Sequence, residues 1–128
     1  MGAKVIVSKL KGSGALTTLI GTRVFPAPIP ETTLYPCVSY QLISEVAHHD
    51  IDTINSFRRA NFQIGIFATS ELLLYTISNA IIFALDGVSG TIEGVKVNAI
   101  FFKDRFENFE DEVDIRRMIM SFDLIYNA

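Results

Sequence analysis

His48, His49, Asp50 and Asp52 stand close together in the chain, and imidazole and carboxylate are the side chains that bind Zn²⁺ or Ni²⁺. Adjacent histidines point in different directions on most backbones, and the chain has no third histidine. The stretch from His48 to Ser56 therefore reads as a solvated polar loop that orders on contact with a partner. Asp104, Glu107, Asp111 and Asp114 form a second candidate cation site. They lack the glycine at the middle of an Asp-rich twelve-residue loop that an EF-hand requires. No metal or other cofactor is expected. Ser39, Ser44 and Ser56 have no G-x-S-x-G setting, and Gly87-Val88-Ser89-Gly90 has neither the lysine of a phosphate loop nor the dinucleotide fingerprint. Glu110 and Glu112 could serve as a hydrolytic acid pair in principle, but so charged a stretch reads as surface. An enzyme is not expected.

What remains is contact chemistry. Phe101, Phe102, Phe106 and Phe109 are many aromatics for one connection. Six of the fourteen acids lie between Asp104 and Asp114, among them Glu110, Asp111 and Glu112. Aromatics beside charges suit a subunit interface with an apolar centre and a polar rim, and the alternative is a solvated hairpin tip. Arg58, Arg59, Arg116 and Arg117 sit at the starts of two strands. They could meet DNA phosphates, or acids such as Glu110 and Asp111 on a neighbour. A net charge of −3 favours the second, because a general nucleic-acid binder needs a basic face.

The elements that must position these residues follow from periodicity. Ala3 to Ile20 reads as two consecutive helices or one bent one. Gly12 and Gly14 interrupt it, Ser13 is placed to cap a second helix, and Gly21 stops it. All four prolines fall between Pro26 and Pro36, which predicts an extended, polyproline-like crossing anchored by Phe25, Ile29 and Leu34. Val38, Tyr40 and Leu42 alternate with polar residues, as a strand does. A second strand carries Phe62, Ile64 and Ile66 on one face, with Arg59, Asn61, Gln63 and Gly65 on the other. Thr69 or Ser70 opens a helix over Glu71 to Leu85, whose apolar face is Leu73, Leu74, Ile77, Ile81, Ala84 and Leu85. Leu72, Tyr75 and Ile82 widen that stripe toward a partner. Val95 to Phe102 and Arg117 to Tyr126 make the third and fourth strands, joined by a charged turn. The expected fold class is α+β: a four-stranded, mainly antiparallel sheet with one long helix packed on a face and short N-terminal helices nearby.

At 128 residues, residues 1–128 are expected to form one domain, large enough to fold without a disulfide or metal. Cys37 is the lone cysteine and reads as a buried structural thiol. Lys9 and Lys11 follow Val5–Val7 at once, which leaves no apolar core for a secretory signal, and Ile6 stands where a myristoylation motif needs Ser or Thr. No apolar stretch is long enough for a membrane helix, so a soluble protein without a membrane partner is expected.

Several motifs, taken in order, resemble one family. Leu19-Ile20-Gly21, then Gly21-Thr22-Arg23-Val24-Phe25-Pro26, Ala27-Pro28 and Pro36-Cys37-Val38-Ser39-Tyr40 are similar to the front half of the bacteriophage tail-completion proteins. That family includes the tail terminators and tail-to-head joining proteins of long-tailed phages. Arg59-Ala60-Asn61-Phe62-Gln63-Ile64, the long helix, the glycines at 87 and 90, and a last strand ending in Tyr126 follow in family order. Cys37 departs from the pattern, as does the histidine-bearing loop. The resemblance implies a structural virion protein at the head-proximal end of the tail, assembled in the host cytoplasm. It implies a homo-hexameric ring that ends tail-tube growth and offers a docking surface to a head-completion or neck protein. Its partners would be itself, the tail tube protein and the neck, with DNA passing through the ring and no specific nucleic-acid binding. It supplies no catalytic residues. Other readings are a different neck or tail-end connector of the same particle, or, from another class, a small ligand-binding α+β domain or unrecognised enzyme. On the first reading, the connection from Phe101 to Phe109 and the loop from His48 to Asp52 lie at subunit or tube contacts.

Overall fold

Ser13 decides where the first helical region breaks. Its hydroxyl accepts the Leu16 N–H, so α1 (Gly2–Lys11) ends and α2 (Gly14–Ile20) starts afresh. Gly21, at φ +62°, closes α2 by donating its N–H to the Thr17 carbonyl. The computed structural model describes residues 2–30, 34–49, 56–110 and 115–127, and for His49, Ser56, Phe109 and Glu110 it describes the backbone. The remaining elements are β1 (Val24–Pro26), β2 (Cys37–His49), β3 (Ser56–Ala68), α3 (Glu71–Leu85), β4 (Gly90–Ile92), β5 (Val95–Glu110) and β6 (Ile115–Asn127). Ser70 caps α3 through the Leu73 N–H, and the helix runs over the residues its sequence marks out.

The sheet has six strands in the order β1-β2-β3-β6-β5-β4, two more than the alternation predicts. The additional strands are three residues each, too short to show a period of two. β1 ends in Pro26 and pairs in parallel with Val38–Tyr40, where Val38 donates to the Arg23 carbonyl and Ala27 to the Tyr40 carbonyl. The proline crossing is therefore part strand, and its Ala27-Pro28 and Tyr35-Pro36 peptides are cis. β4 joins β5 through the two-residue turn Glu93-Gly94, both at positive φ (51° and 78°), as a tight hairpin demands.

β2 and β5 are also longer than expected. β2 continues through His48 and His49, which are strand residues rather than loop, and β5 continues through Phe106 and Phe109 to Glu110. Asp50 and Asp52, like Asp111, Glu112 and Asp114 of the charged turn, lie outside the described residues.

The helices cover one face of the sheet. Phe62, Ile64 and Ile66 of β3, and Met118, Met120, Phe122, Leu124 and Tyr126 of β6, meet Val5, Ile6 and Leu10 of α1, Leu16 and Ile20 of α2, and Leu74, Ile77, Ile81 and Leu85 of α3 in one apolar core. Leu73 and Ala84 are only partly buried, and Ser78 takes a fully buried place on the helix. Each large side chain so buried stabilises by roughly 1.5–3 kcal/mol relative to exposure.

On the other face, β3 and β2 approach closely at Gly65, where an added Cβ would stand 2.8 Å from the Ser39 hydroxyl. Gly65→Ala is expected to cost about 1–3 kcal/mol by overpacking. Adding Ser39→Ala should return most of it, measured by urea denaturation of the single and double variants. Additive losses would mean that this contact is not the cause.

Candidate assembly surfaces

Among the described residues, no helix covers the face of the sheet turned from the core. Register places Arg59, Asn61, Gln63, Gly65 and Phe67 of β3 on it, beside Arg117, Ile119, Ser121 and Asp123 of β6. Phe101, Asp104, Phe106 and Asn108 of β5 extend it on one side, and Ser39, Gln41, Ser44, Val46 and His48 of β2 on the other.

A charge cluster lies at its middle. Asp123 is 8% exposed and accepts the Asn61 amide at 3.1 Å, with Arg59 Nε at 3.7 Å and Lys103 Nζ at 3.8 Å. These groups line an open cleft of about 390 Å³ with Ser44, Val46, Asp104 and Ser121. A second cleft, of about 360 Å³, lies where the proline crossing reaches the same face. Pro28, Ile29, Phe67 and Ile119 give it apolar walls, and Ser39, Gln41, Gln63 and Arg117 give it polar ones. The Arg117 Nε is buried there without a hydrogen-bond partner.

Phe101, Phe102 and Phe106 divide between the faces. Phe101 (48% exposed) and Phe106 (53%) stand on the open face, while Phe102 packs at 5.5 Å against Phe122 in the core. The register puts Phe109 opposite Arg116. The connection expected to be an aromatic turn is thus a strand whose alternation sends its rings both ways.

The arginine pairs lie at opposite ends of the β3–β6 ladder, Arg58 and Arg59 beside Tyr126 and Ile125, Arg116 and Arg117 beside Ala68 and Phe67. Arg58 pairs within the chain with Glu45 at 3.7 Å, and Glu45 also accepts the Tyr126 hydroxyl. Burial first, and that bond second, push the Tyr126 phenol above the usual tyrosine range. The first arginine pair is therefore engaged inside the chain, by Glu45 and Asp123, neither of which stands out in the sequence.

The candidate cation ligands are not gathered. Asp104 stands on the open face, and Glu107 on the helix side, where it accepts the Tyr75 hydroxyl at 3.1 Å. His48 stacks on Phe57 at 4.8 Å. Among the described residues, no three His, Cys, Asp or Glu side chains converge on a point. On the helix side, Arg105 ties β5 to α3 through Ser78 (2.8 Å) and Asn79 (3.0 Å) and lies over the Tyr75 ring at 5.5 Å. On either side of these residues along α3, Leu72 and Phe83 are 78% and 89% exposed. Phe83 borders a wide cleft of about 700 Å³, shared with Lys9, Ser13 and Glu93.

Cys37 is fully buried, and burial pushes its thiol up to about 11, with Arg23 opposing. At pH 8 the folded chain should react with a disulfide reagent at least ~100-fold more slowly than the urea-unfolded chain, because both access and thiolate are lost. A native rate within a few-fold of the unfolded one would refute the burial. The shift also has a stability sign. The neutral thiol is favoured in the fold, so its contribution is complete below the unfolded value of 9.0 and is lost as pH rises toward about 11.

A sequence profile of the family described as tail completion protein gp17 matches residues 4–127. The chain belongs to that family. Among solved structures, it is similar to a chain in one described as the virion of a native gene transfer agent particle. The TM-score is 0.77 at 20% identity, over 97% of this chain and 92% of that one, which is a likeness of fold. No curated protein matches the sequence.

Proposed function

We propose that this tail-completion protein acts as a tail terminator: copies join head to tail into a homo-hexameric ring on the head-proximal end of a phage tail tube. One side of the ring repeats the tube's own ring-to-ring contact. The other denies that contact to the next tube subunit and offers a seat to the head-completion protein. A closed ring of identical heterologous contacts ends growth by geometry. The protein would thus reside in the virion after assembly in the host cytoplasm.

The observation that carries this reading is the family match over residues 4–127. The surface is consistent with it. Phe101 and Phe106 stand exposed beside charged groups on the open face, the composition of an interface with an apolar centre and a polar rim.

Native mass spectrometry over a concentration series, with and without Mg²⁺, tests the ring directly. A closed hexamer is the expected species. Purified tail tubes, imaged after incubation with the protein, provide the template should closure require one. A chain that stays monomeric alone and leaves tubes uncapped overturns the proposal.

A further inference from the structure

The sheet leaves two lengths of strand edge bare. β1 covers only Val38–Tyr40 of β2, which then runs from Gln41 to His49 with no strand outside it among the described residues. At the opposite edge, β4 covers Val95–Val97 of β5. The end of α3 covers the next few residues: Gly87 donates to the Ile100 carbonyl at 2.8 Å, and Asp86 accepts the Phe102 N–H at 3.0 Å. β5 then runs from Lys103 to Glu110 with no strand beyond it among the described residues. Every residue from Gln41 to His48 and from Lys103 to Glu107 is exposed. A bare edge is a row of backbone donors and acceptors, and another strand is what satisfies it.

The two edges fit each other in direction. Each of the pairs β2–β3, β3–β6 and β6–β5 is antiparallel, so β2 and β5 run in opposite senses. A neighbour generated by rotation about an axis near the strand direction keeps those senses. Its β2 would therefore meet the first copy's β5 antiparallel, continuing the alternation.

They also fit in height. Val46 lies in the row of Arg59, Ile125 and Ala99, and Phe106 lies opposite Ile119. Setting Val46 against Phe106 shifts the neighbour along the strands by the distance from Ile125 to Ile119, roughly 20 Å at about 3.4 Å per residue. Four long strands span roughly 19 Å at about 4.8 Å each. The resulting tilt is about 45°, within the range of about 35–45° at which strands close into a barrel.

The faces agree as well. Ser44, Val46 and His48 share the open face with Asn108, Phe106 and Asp104. In this register they meet as a hydroxyl with an amide, a β-branched residue with an aromatic, and an imidazole with a carboxylate, each a favourable cross-strand pair. On the helix side the register opposes Glu45 with Glu107, a like-charge pair that counts against it, although each carboxylate accepts a phenol, from Tyr126 and Tyr75.

We infer that the Gln41–His49 edge of one copy pairs antiparallel with the Lys103–Glu110 edge of the next, joining their sheets into one tilted wall. This rests on the ring reading above and names the surface through which the ring closes.

Cysteine pairs in the full-length chain test it. Val46→Cys is combined in turn with Asp104→Cys, Phe106→Cys or Asn108→Cys, or with Arg105→Cys or Glu107→Cys from the opposite face, and treated with a short bis-maleimide. Buried Cys37 serves as the internal blank. Same-face pairs should give a ladder of linked subunits in roughly tenfold or greater excess over opposite-face pairs, because one residue of slip moves a side chain to the other face. Val46 and Phe106 are both 53% exposed, so Val46→Cys and Phe106→Cys should leave the thermal midpoint of the monomer in place. Rings that assemble but link at none of these pairs, or at all of them alike, overturn the edge pairing and leave the ring reading standing. An unmodified chain that assembles neither alone nor on tail tubes overturns the ring reading and this inference together.

Discussion

Phe122→Ala is expected to lower the unfolding free energy by about 3–5 kcal/mol, a larger loss than any other substitution predicted for this chain. The ring is fully buried at the centre of β6, paired across the sheet with Phe62 on one side and Phe102 on the other. Its removal costs the transfer energy of the aromatic and leaves a cavity that flanking strands cannot fill, because their positions are fixed by ladders on both sides. Against a total stability of about 5–15 kcal/mol for a domain, much of the margin would go. Urea denaturation should show a lower midpoint with an unchanged slope. Phe122→Leu, which keeps most of the volume, should lose less than half as much. A loss below ~1.5 kcal/mol for the alanine variant would mean that this region repacks freely and that the described core is wrong there.

Asp123→Ala is the second large effect, at about 1.5–3 kcal/mol. Its source is the hydrogen bond from the Asn61 amide to a nearly buried carboxylate, and bonds to charged groups carry about that much. Without Asp123, Asn61 keeps only its 3.5 Å approach to the Phe122 carbonyl. The cations add less. Arg59 and Lys103 side chains are 53% and 51% exposed, so they return to water when the carboxylate goes, and each pair contributes roughly 0–1 kcal/mol. Asp123→Asn, which retains an acceptor for Asn61, should recover more than half of the loss. Equal losses in the two variants would assign the energy to charge instead of to the hydrogen bond.

The parts of the fold that were legible in sequence are those where one face is buried and the other is wet. β3 and β6 alternate cleanly because helices cover one side of each. α3 carries its cap, its stripe and its stop in the order that a helix requires. Legibility fails where strands leave the core. Beyond the irregularity between Leu42 and Ser44, every described residue of β2 up to His48 is exposed, so no period of two survives and the histidines look like loop. β5 beyond Phe102 has the same problem, compounded by a run of charge that resembles a turn. β1 is recognised only through its parallel partner, a non-local contact that no window of sequence contains. Of the candidate contact residues, Phe101 and Phe106 were identifiable from aromatic density. Asp123 was not, because a single acid in an apolar strand becomes significant only when register brings Arg59, Asn61 and Lys103 to it.

β6 follows every other element in chain order, yet it occupies the middle of the sheet, between β3 and β5. The β2–β3 hairpin can form early from neighbouring residues, but it must then wait while α3, β4 and β5 are made. Closure depends on pairs as distant as Phe57 with Asn127, so chain topology predicts slow, late consolidation from the centre outward. Until that strand arrives, the inner edge of β3 is bare and the apolar row of Phe62, Ile64 and Ile66 has no finished core around it. A nascent chain halted before Ile115 is therefore the species expected to be most exposed to aggregation and chaperone capture.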